Sequence, residues 1–461
     1  MTAMADTTLG RMAGYGSRLQ FSDLPAAAVH ESKRRLIDTL GCMLGAYNEE
    51  PSRIARGMAS RSAAESGARV IGSAARRLPE LAAFANGVMG RYLDGNDTYP
   101  GGGGHPSDML AAVLAAADTC RADGRSIITA IAFAYEVYHA LFQATRMRDK
   151  GMDNVFYTAV GGAAGAAKVL GLTGARMADA ISLAITPNIA IEATRRGKLS
   201  MWKGAAAGNA ARNGVFAALL AADGMTGPEK PVEDERGLWG LVGKFELAPF
   251  GDRSHRYAVT QSSLKYFLSE YHSQSPITAA LELQSQVKVE DIAAVTIYTQ
   301  WFTWYEIGSE PEKWHPTTRE TADHSLPYII AAVLIDGTFS DEIFAAHRLN
   351  DPRIHALTDK ITVKEEPEFT RQFPEAIHCR IEIETKAGER KIGAVEYPRG
   401  HFNNPMTNAE VDTKFRALAS RVLPASKIET ALKLLWKFDE AVNLDAIFDA
   451  MDIGAKSGTL R

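Results

Sequence analysis

RYLDGNDTYPGGGGHPSDML, residues 91–110, is a turn-rich loop with alanine-rich helical sequence on both sides. Its polar side chains include Asp94, Asp97, Thr98, His105 and Ser107. Loops that hold convergent polar groups between rigid elements often carry binding and catalysis, and glycines 101–104 let the backbone approach a ligand closely. The same residue types also form ordinary connections. The phosphate-loop pattern G-x-x-x-x-G-K-[ST] is absent, so this is not a nucleotide-binding loop of that kind.

The end of this loop predicts the start of a helix over 109–120. Pro106 suits a first helical turn, and Ser107 or Asp108 could cap the free amide groups. A helix N-terminus attracts anions, which favours a carboxylate ligand at this place.

Outward from the loop, the first half of the chain has apolar residues at helical spacing and few β-branched runs. Helices are predicted over 23–48, 51–63, 79–92, 127–142, 159–170, 178–185 and 200–222. Residues 70–78 and 225–262 are predicted to be irregular. No repeat of fixed period is present, which argues against a solenoid.

After residue 262 the pattern mixes helices with strands. Helices are predicted over 275–284 and 326–334, and strands over 293–299, 361–363, 376–384 and 391–397. Ile377, Cys379, Ile381 and Ile383 alternate with polar residues, which indicates a half-buried antiparallel strand. From residue 408 the chain is again helical, and those helices could return to the first domain. The prediction is a mainly α protein with a second, α+β domain.

Composition excludes several classes of protein. The chain has 461 residues, 46% of them hydrophobic and 23% charged, with a net charge of −4. These values are typical of a soluble two-domain protein and offer no attraction to nucleic acid or to an anionic membrane. Three widely spaced cysteines predict neither a disulfide framework nor an iron–sulfur cluster. The N-terminus lacks an apolar segment of signal-peptide length and no run is long enough for a membrane span, so we expect a cytoplasmic protein.

Five motifs in order resemble the MmgE/PrpD family: L-D-G-N-D-T…G-H-P-S-D in the loop, KGAAAG at 203–208, KYFLSEYHSQ at 265–274, ADHSLPY at 322–328 and VEYPRGH at 395–401. The resemblance covers nearly the whole chain. It implies a large all-helical domain built from residues 1–265 and 402–461, with a smaller α+β lid domain of residues 266–401. It also implies a homodimer.

The family's shared chemistry is proton removal beside a carboxylate of a small polyacid, followed by loss of water, loss of carbon dioxide or reprotonation. The resemblance therefore predicts a cofactor-independent lyase that acts on a small polycarboxylate, first of all a dehydratase of 2-methylcitrate. An epimerase or decarboxylase of a related acid, such as iminodisuccinate or cis-aconitate, is the alternative. A non-catalytic helical interaction protein is the second alternative.

Several residues are candidates for this chemistry. We predict catalytic roles for His105, Asp94, Lys203, His272 and Tyr328, and substrate binding by Asp97, Thr98, Ser107, Arg196 and Lys265. In this hypothesis His105 is a general base or acid oriented by Asp94, the cations hold carboxylates, and Tyr328 shares a helical face with His324. A contact between Asp323 and His324 is suggested by their adjacency alone.

No metal or other cofactor is expected, because histidines with zinc-site spacing, a dinucleotide-binding fingerprint and a nucleophile elbow are all absent. Two departures from the family's pattern, the glycines at 101–104 and Asn154 in place of a histidine, could reshape the substrate pocket.

Overall fold

The computed structural model describes residues 7–102, 104–251 and 256–454. Within these residues the chain forms two domains, each with a large hydrophobic core of its own. The first core is helical. Its helices are α1 (Thr8–Arg18), α2 (Ala26–Gly45), α3 (Glu50–Ser60), α4 (Pro79–Tyr92), α5 (Leu110–Cys120), α6 (Gly124–Ala144), α7 (Val155–Val169), α8 (Gly174–Ile185), α9 (Trp202–Ala222) and the short α10 (Leu238–Val242).

Helix α6 lies at the centre of this domain. The side chain of Asp123 caps it by accepting from the backbone N–H of Ser126. Within the described residues, α6 is the one helix long and apolar enough to cross a membrane, but 78% of its most apolar segment is buried in the protein. This is how the central helix of a soluble protein packs.

Small residues let α4, α7 and α9 approach closely. A Cβ placed on Gly87 of α4 would lie 2.6 Å from the Cα of Gly208 on α9, and one on Gly214 would lie 2.8 Å from the carbonyl oxygen of Ala159 on α7. The backbones of these helices therefore touch where the glycines face each other.

The second core belongs to a four-stranded sheet with strands β3 (Ile292–Thr299), β4 (Ile361–Glu365), β5 (Cys379–Thr385) and β6 (Arg390–Val395), in the order β4-β3-β5-β6. Strands β3 and β4 are parallel, with Val295 opposite Ile361, and the other pairs are antiparallel, with Ile297 opposite Ile381. The helices of this domain are α11 (Gln274–Gln284), α12 (Trp301–Ile307), α13 (Arg319–Ala322), α14 (Leu326–Asp336), α15 (Pro352–Thr358) and α16 (Pro367–Gln372). Helix α11 packs on β5 and β6, and α14 packs on α11.

The last helices return to the first core. They are α17 (Asn408–Ala419), α18 (Ala425–Trp436) and α19 (Asp445–Met451), and α17 packs on α2. Buried residues from Met406 to Met451 belong to the same core as those of the N-terminal half, whereas residues 277–383 form the other core. The mainly α fold with a small α+β part is confirmed, while the domain boundaries at 265 and 402 stay predictions.

Three local predictions were wrong. Residues 70–78 were predicted to be irregular, but β2 (Arg76–Arg77) pairs with β1 (Ala68–Arg69) in a short antiparallel hairpin. Helix α10 lies in a region predicted to be irregular. The turn after His105 is a 3₁₀ helix, Pro106–Met109, without a side-chain cap of its own. The carboxylate of Asp97 instead accepts from the backbone N–H of Ser107 at 2.8 Å.

Candidate active site

The 93–105 loop begins directly after α4, and a short backbone pairing fixes its middle. Thr98 and Ser263 exchange both backbone hydrogen bonds, at 2.9 and 2.7 Å. Within the loop, the carboxylate of Asp97 accepts from the hydroxyl of Tyr135 at 2.8 Å and lies 3.5 Å from the guanidinium of Arg35. The buried Asp97 therefore holds the loop in place.

The glycines bring the backbone of the loop against its neighbours. Gly101, Gly102 and Gly104 all have positive φ, and a Cβ on Gly102 would lie 2.7 Å from the Cζ of Phe302. A Cβ on Gly104 would lie 2.5 Å from the Cγ of Asn154. Gly103 lies outside the described residues.

Asp94 is the centre of a buried ion network. Its backbone is left-handed, with φ of 51°, and its carboxylate is ion-paired with Arg91 at 2.8 Å and with Lys203 at 3.1 Å. The ammonium of Lys265 contacts the same carboxylate and also donates to the backbone carbonyl of Asp94 at 2.9 Å. Three cations from three distant segments thus meet one carboxylate.

Lys203 joins this network to the second domain. Its ammonium donates to both carboxylate oxygens of Asp323, at 2.6 and 2.8 Å. Asp323 in turn accepts from Nδ1 of His324 at 2.6 Å, so the suggested Asp–His contact is present. Lys203 lies in the first turn of α9 and Asp323 directly after α13, so the ion network spans the two domains.

The cations keep both carboxylates ionised. Burial alone raises the pKa of Asp94, but the charges of Arg91, Lys265 and Lys203 outweigh it and hold the pKa well below its ordinary value. For Asp323, burial is likewise outweighed by Lys203 and by His324, and the pKa falls to about 2.

His105 is held as a neutral imidazole. Its Nδ1 lies 2.8 Å from the backbone carbonyl oxygen of Asp97, so Nδ1 carries the proton and Nε2 has the free lone pair. Burial, and then the charges of Arg91 and Lys265, lower the pKa of His105 well below its ordinary value. A neutral imidazole with Nε2 available is the form that a general base requires.

Two further histidines share this arrangement from the second domain. Burial and the neighbouring Lys203 lower the pKa of His324 to about 4, although Asp323 opposes the shift. Nδ1 of His272 lies 2.8 Å from the carboxylate of Glu270. Burial raises the pKa of Glu270, but His272, His324 and Lys265 outweigh it, and the pKa falls to about 2. Each of the three imidazoles therefore has Nδ1 engaged.

These groups surround a cavity of about 50 Å³ between the two domains. Its lining includes the guanidinium groups of Arg91, Arg148 and Arg195, the imidazoles of His105, His272 and His324, and the side chains of Thr98, Asn154, Glu270 and Glu306. Cations that can hold carboxylates thus lie beside histidines that can move protons.

The structure brings most of the predicted site residues together. Thr98, His105 and His272 line the cavity, and Asp94, Lys203 and Lys265 form the ion network beside it. Asp97 and Ser107 are outside the cavity lining. The hydroxyl of Ser107 accepts from the side-chain amide of Asn96 at 2.9 Å. Arg196 pairs with Glu310 at 3.1 Å and stacks over Tyr305, away from the cavity lining.

Tyr328 does not belong to this site. Its hydroxyl donates to the carbonyl oxygen of Ile343 at 2.6 Å in the core of the second domain. The prediction placed Tyr328 on one helical face with His324, but α13 ends at Ala322 and α14 begins at Leu326 with Ser325 as its cap. A helix boundary lies between the two residues, so a spacing of four does not place them on one helical face.

Several residues that line the cavity were missed. Arg91 stands three residues before Asp94 at the end of a helix, a spacing that could have indicated the pair. Glu270 stands two residues before His272, and its side chain also accepts from the backbone N–H of that residue. Arg148 follows α6 in a short turn and carried no sequence signal.

One group of side chains within the described residues has metal-ligand geometry. The ligand atoms of Asp94, Asp323 and His324 all lie within 4.8 Å of one another. The ammonium of Lys203 lies against both carboxylates, 3.1 Å from Asp94 and 2.6 Å from Asp323. The ammonium of Lys203 therefore compensates the buried negative charges of Asp94 and Asp323.

Comparison with known proteins agrees with this architecture. Residues 10–246 match the MmgE/PrpD N-terminal domain, and residues 267–439 match the MmgE/PrpD C-terminal domain. The 2-methylcitrate dehydratase of Escherichia coli (strain K12) is 30% identical over 428 residues, with 87% of each chain covered. That of Salmonella typhimurium is 31% identical over 395 residues, covering 79% of this chain and 80% of the relative. Human cis-aconitate decarboxylase is 24% identical over 442 residues, covering 92% and 90%. With both domains matched in order along the chain, the protein belongs to the MmgE/PrpD family.

Proposed function

We propose that the protein is a cofactor-independent lyase that dehydrates a small polycarboxylate, with 2-methylcitrate as the first substrate to test. Relatives at about 30% identity that are named 2-methylcitrate dehydratase support an enzyme of this kind. The observation that carries the proposal is the cavity in which Arg91 and Arg195 face His105 and His272, beside the buried Asp94–Lys203–Asp323 network.

The geometry supports a division of roles. Arg91 and Arg195 hold the substrate carboxylates, and Nε2 of His105 removes the proton from the carbon beside one of them. The charge that develops on that carboxylate is stabilised by the fixed cations of the site, which need no reorganisation during the reaction. The carbon–oxygen bond then breaks, and the hydroxyl leaves as water with a proton from His272, whose Nδ1 is held by the carboxylate of Glu270.

His324 is the second base that this arrangement supports. Its Nδ1 is held by Asp323 and its pKa is lowered to about 4, so it too is neutral near pH 7. It lines the cavity from the second domain, whereas His105 comes from the loop of the helical domain. A substrate whose acidic C–H faces the lid would use His324, which is a route to a different stereochemical outcome.

The test is turnover of a panel of polyacids by purified, metal-stripped protein: 2-methylcitrate, citrate, cis-aconitate and the stereoisomers of iminodisuccinate. Alkene absorbance and product NMR would be followed together. A conjugated alkene from 2-methylcitrate is the expected result. Carbon dioxide release or stereochemical scrambling would instead assign the chain to the decarboxylase or epimerase alternative, and no turnover of any acid would contradict the proposal.

We also propose that the chain forms a homodimer. An apolar patch formed by Ile189, Ile191, Met201, Trp202 and Phe216 lies on the exposed side of α9 and the segment before it, with each side chain 39–62% exposed. The side-chain amide of Asn213 on α9 donates to the side-chain oxygen of Asn188, which joins this segment to the helix. Exposed apolar patches of this kind commonly mark protein–protein contacts.

A further inference from the structure

The catalytic cavity is too small for the substrate class proposed above. Its volume of about 50 Å³ has room for only a few water molecules, at about 10–15 Å³ each. A tricarboxylate is several times larger, so a bound substrate extends beyond this cavity or the two domains move apart around it.

A second, larger pocket adjoins the cavity between the two domains. This vestibule has a volume of about 600 Å³ and shares Gly102, Arg148, Phe302 and Glu306 with the lining of the cavity. Five of the fifteen other lining residues are aromatic. Phe142 and Tyr157 come from the helical domain, whereas Trp301, Tyr305 and Phe373 come from the lid.

Gly102 and Phe302 are among the residues that both spaces share, and they form the neck between them. Gly102 lies so close to Phe302 that a Cβ would come within 2.7 Å of the ring. Arg148 lies over the same ring and is ion-paired with Glu306 at 2.7 Å and with Glu192 at 3.2 Å. The guanidinium of Arg148 is therefore held at the neck by two carboxylates.

The aromatic walls are pre-formed. Trp301 stacks on Tyr305 with ring centroids 4.8 Å apart, and Phe302 stacks on Phe373 at 5.5 Å. The charged pair of Arg146 and Asp149 lies at the rim, with its side chains 87% and 59% exposed. Aromatic side chains from both domains therefore give the vestibule apolar surface beside the polar side chains that also line it, and such surface suits an apolar ligand group.

We propose that the vestibule is a subsite for an apolar substituent, an alkyl or aryl group longer than methyl, on the polycarboxylate whose carboxylates lie in the cavity. This inference rests on the proposed function and narrows its substrate class to substituted polycarboxylates. Gly102 and Phe302 form the neck through which the substituent passes, and the residues lining only the vestibule select it.

The test is a series of 2-alkylcitrates with methyl, ethyl, butyl and hexyl substituents, measured both by calorimetric binding and by turnover. Each methylene that enters the vestibule should tighten binding by up to about fourfold. Trp301→Ala should flatten this dependence on chain length. Tyr266→Ala is the matched control, because Tyr266 is aromatic, equally exposed at 43% and outside the vestibule, and it should leave the dependence intact.

The outcomes separate the two proposals. Turnover of the methyl compound with affinity that is flat or falling toward hexyl would overturn the subsite and leave the proposed function standing. Affinity that rises with chain length without turnover of any member would support the subsite and overturn the lyase. Absence of both binding and turnover across the series would overturn both.

Discussion

Lys203 compensates more buried charge than any single neighbour of Asp94 or Asp323, because it contacts both carboxylates. We expect Lys203→Met to abolish turnover and also to lower the free energy of unfolding by about 3–5 kcal/mol, since it leaves buried charge unpaired. The double variant Lys203→Met/Asp323→Asn removes one of those charges and should regain part of the stability but no activity.

Denaturant unfolding and kcat measured on both variants check this prediction. A Lys203→Met protein as stable as the wild type would show that the carboxylates do not depend on the lysine. A single substitution at Lys203 does not by itself separate catalysis from folding, so the double variant is the informative comparison.

His105 offers a cleaner test of catalysis. We expect His105→Asn to lower kcat by about 10²–10⁴, the usual contribution of a general base, with little change in thermal stability. Because its pKa is lowered, the wild-type base stays neutral below pH 6.5, and kcat/KM should fall only at markedly lower pH. Circular dichroism melting and a pH–rate profile measure both effects.

The control for His105 is His315→Asn, which changes an exposed histidine of the second domain that is outside the cavity lining. Equal loss of activity in the two variants would contradict a specific role for His105. If His324→Asn alone abolished turnover while His105→Asn did not, the base would be the one on the lid.

Asp108 makes stability depend on pH. Burial raises its pKa to about 7, although Arg91 and a hydrogen bond from Asn96 oppose the shift. An acid whose pKa is raised on folding is protonated in the folded chain while the unfolded chain has already ionised. Between about pH 4 and pH 7 the folded state therefore binds more protons, and its stability falls as pH rises.

We expect Asp108→Asn, which imitates the protonated acid, to remove this fall. The stability difference between wild type and variant should change by at most about 4 kcal/mol over that range, in favour of the variant at high pH. Urea unfolding at a series of pH values is the measurement. A difference that stays constant with pH would contradict the raised pKa.

At the scale of elements, the contact between α4 and α9 sets the site's geometry. Arg91 lies near the end of α4 and Lys203 at the start of α9, and the helices touch at Gly87 and Gly208. A Cβ on Gly208 would lie 2.6 Å from the carbonyl oxygen of Phe84, so the helices must separate to accept it.

We expect Gly208→Ala to destabilise the protein by about 1–3 kcal/mol and to raise KM, because it moves Lys203 relative to Asp94. The matched control is Gly14→Ala in α1, where the nearest atom to a new Cβ is the end of the Arg18 side chain at 3.5 Å. That variant should be neutral or slightly stabilising, since alanine favours helix. Thermal melts of both variants measure the change in stability, and Michaelis–Menten kinetics measure the change in KM.

Periodicity predicted the long elements well because their packing repeats along the chain. Helix α4 begins and ends where its apolar pattern does, and the alternation at 377–383 marks most of β5. The hairpin of β1 and β2 has two residues in each strand, too few for any period to show. The 3₁₀ turn after His105 depends on a carboxylate ten residues earlier, and a local capping rule does not include that partner.

At the scale of the whole molecule, assembly can be tested through the apolar patch on α9. We expect Phe216→Glu to convert a dimer into monomers, because it places a charge within the proposed contact. Val442→Glu is the control, since Val442 is exposed to 82% and lies outside the patch. Sedimentation analysis of wild type and both variants is the measurement, and a wild-type monomer at micromolar concentration would contradict the homodimer.

The sequence predicted which types of residue form the site, but it identified only some of the individual residues. Ordered motifs indicated that residues near 94, 105, 203, 265 and 272 act together, and the folded chain brings these together. Local spacing failed at Tyr328, because a helix boundary lies between it and His324. Arg148 was missed because its place beside the cavity depends on how the two domains meet, which no local pattern encodes.

The ion network of Asp94, Lys203 and Asp323 joins the two domains and lies beside the cavity. In the proposed function, a substitution at any of these three side chains would therefore change both the activity and the stability of the protein. Changes in substrate preference would then arise at positions without buried charge, such as Gly102, Asn154 and the walls of the vestibule. New specificities in this scaffold would then arise around a constant electrostatic centre.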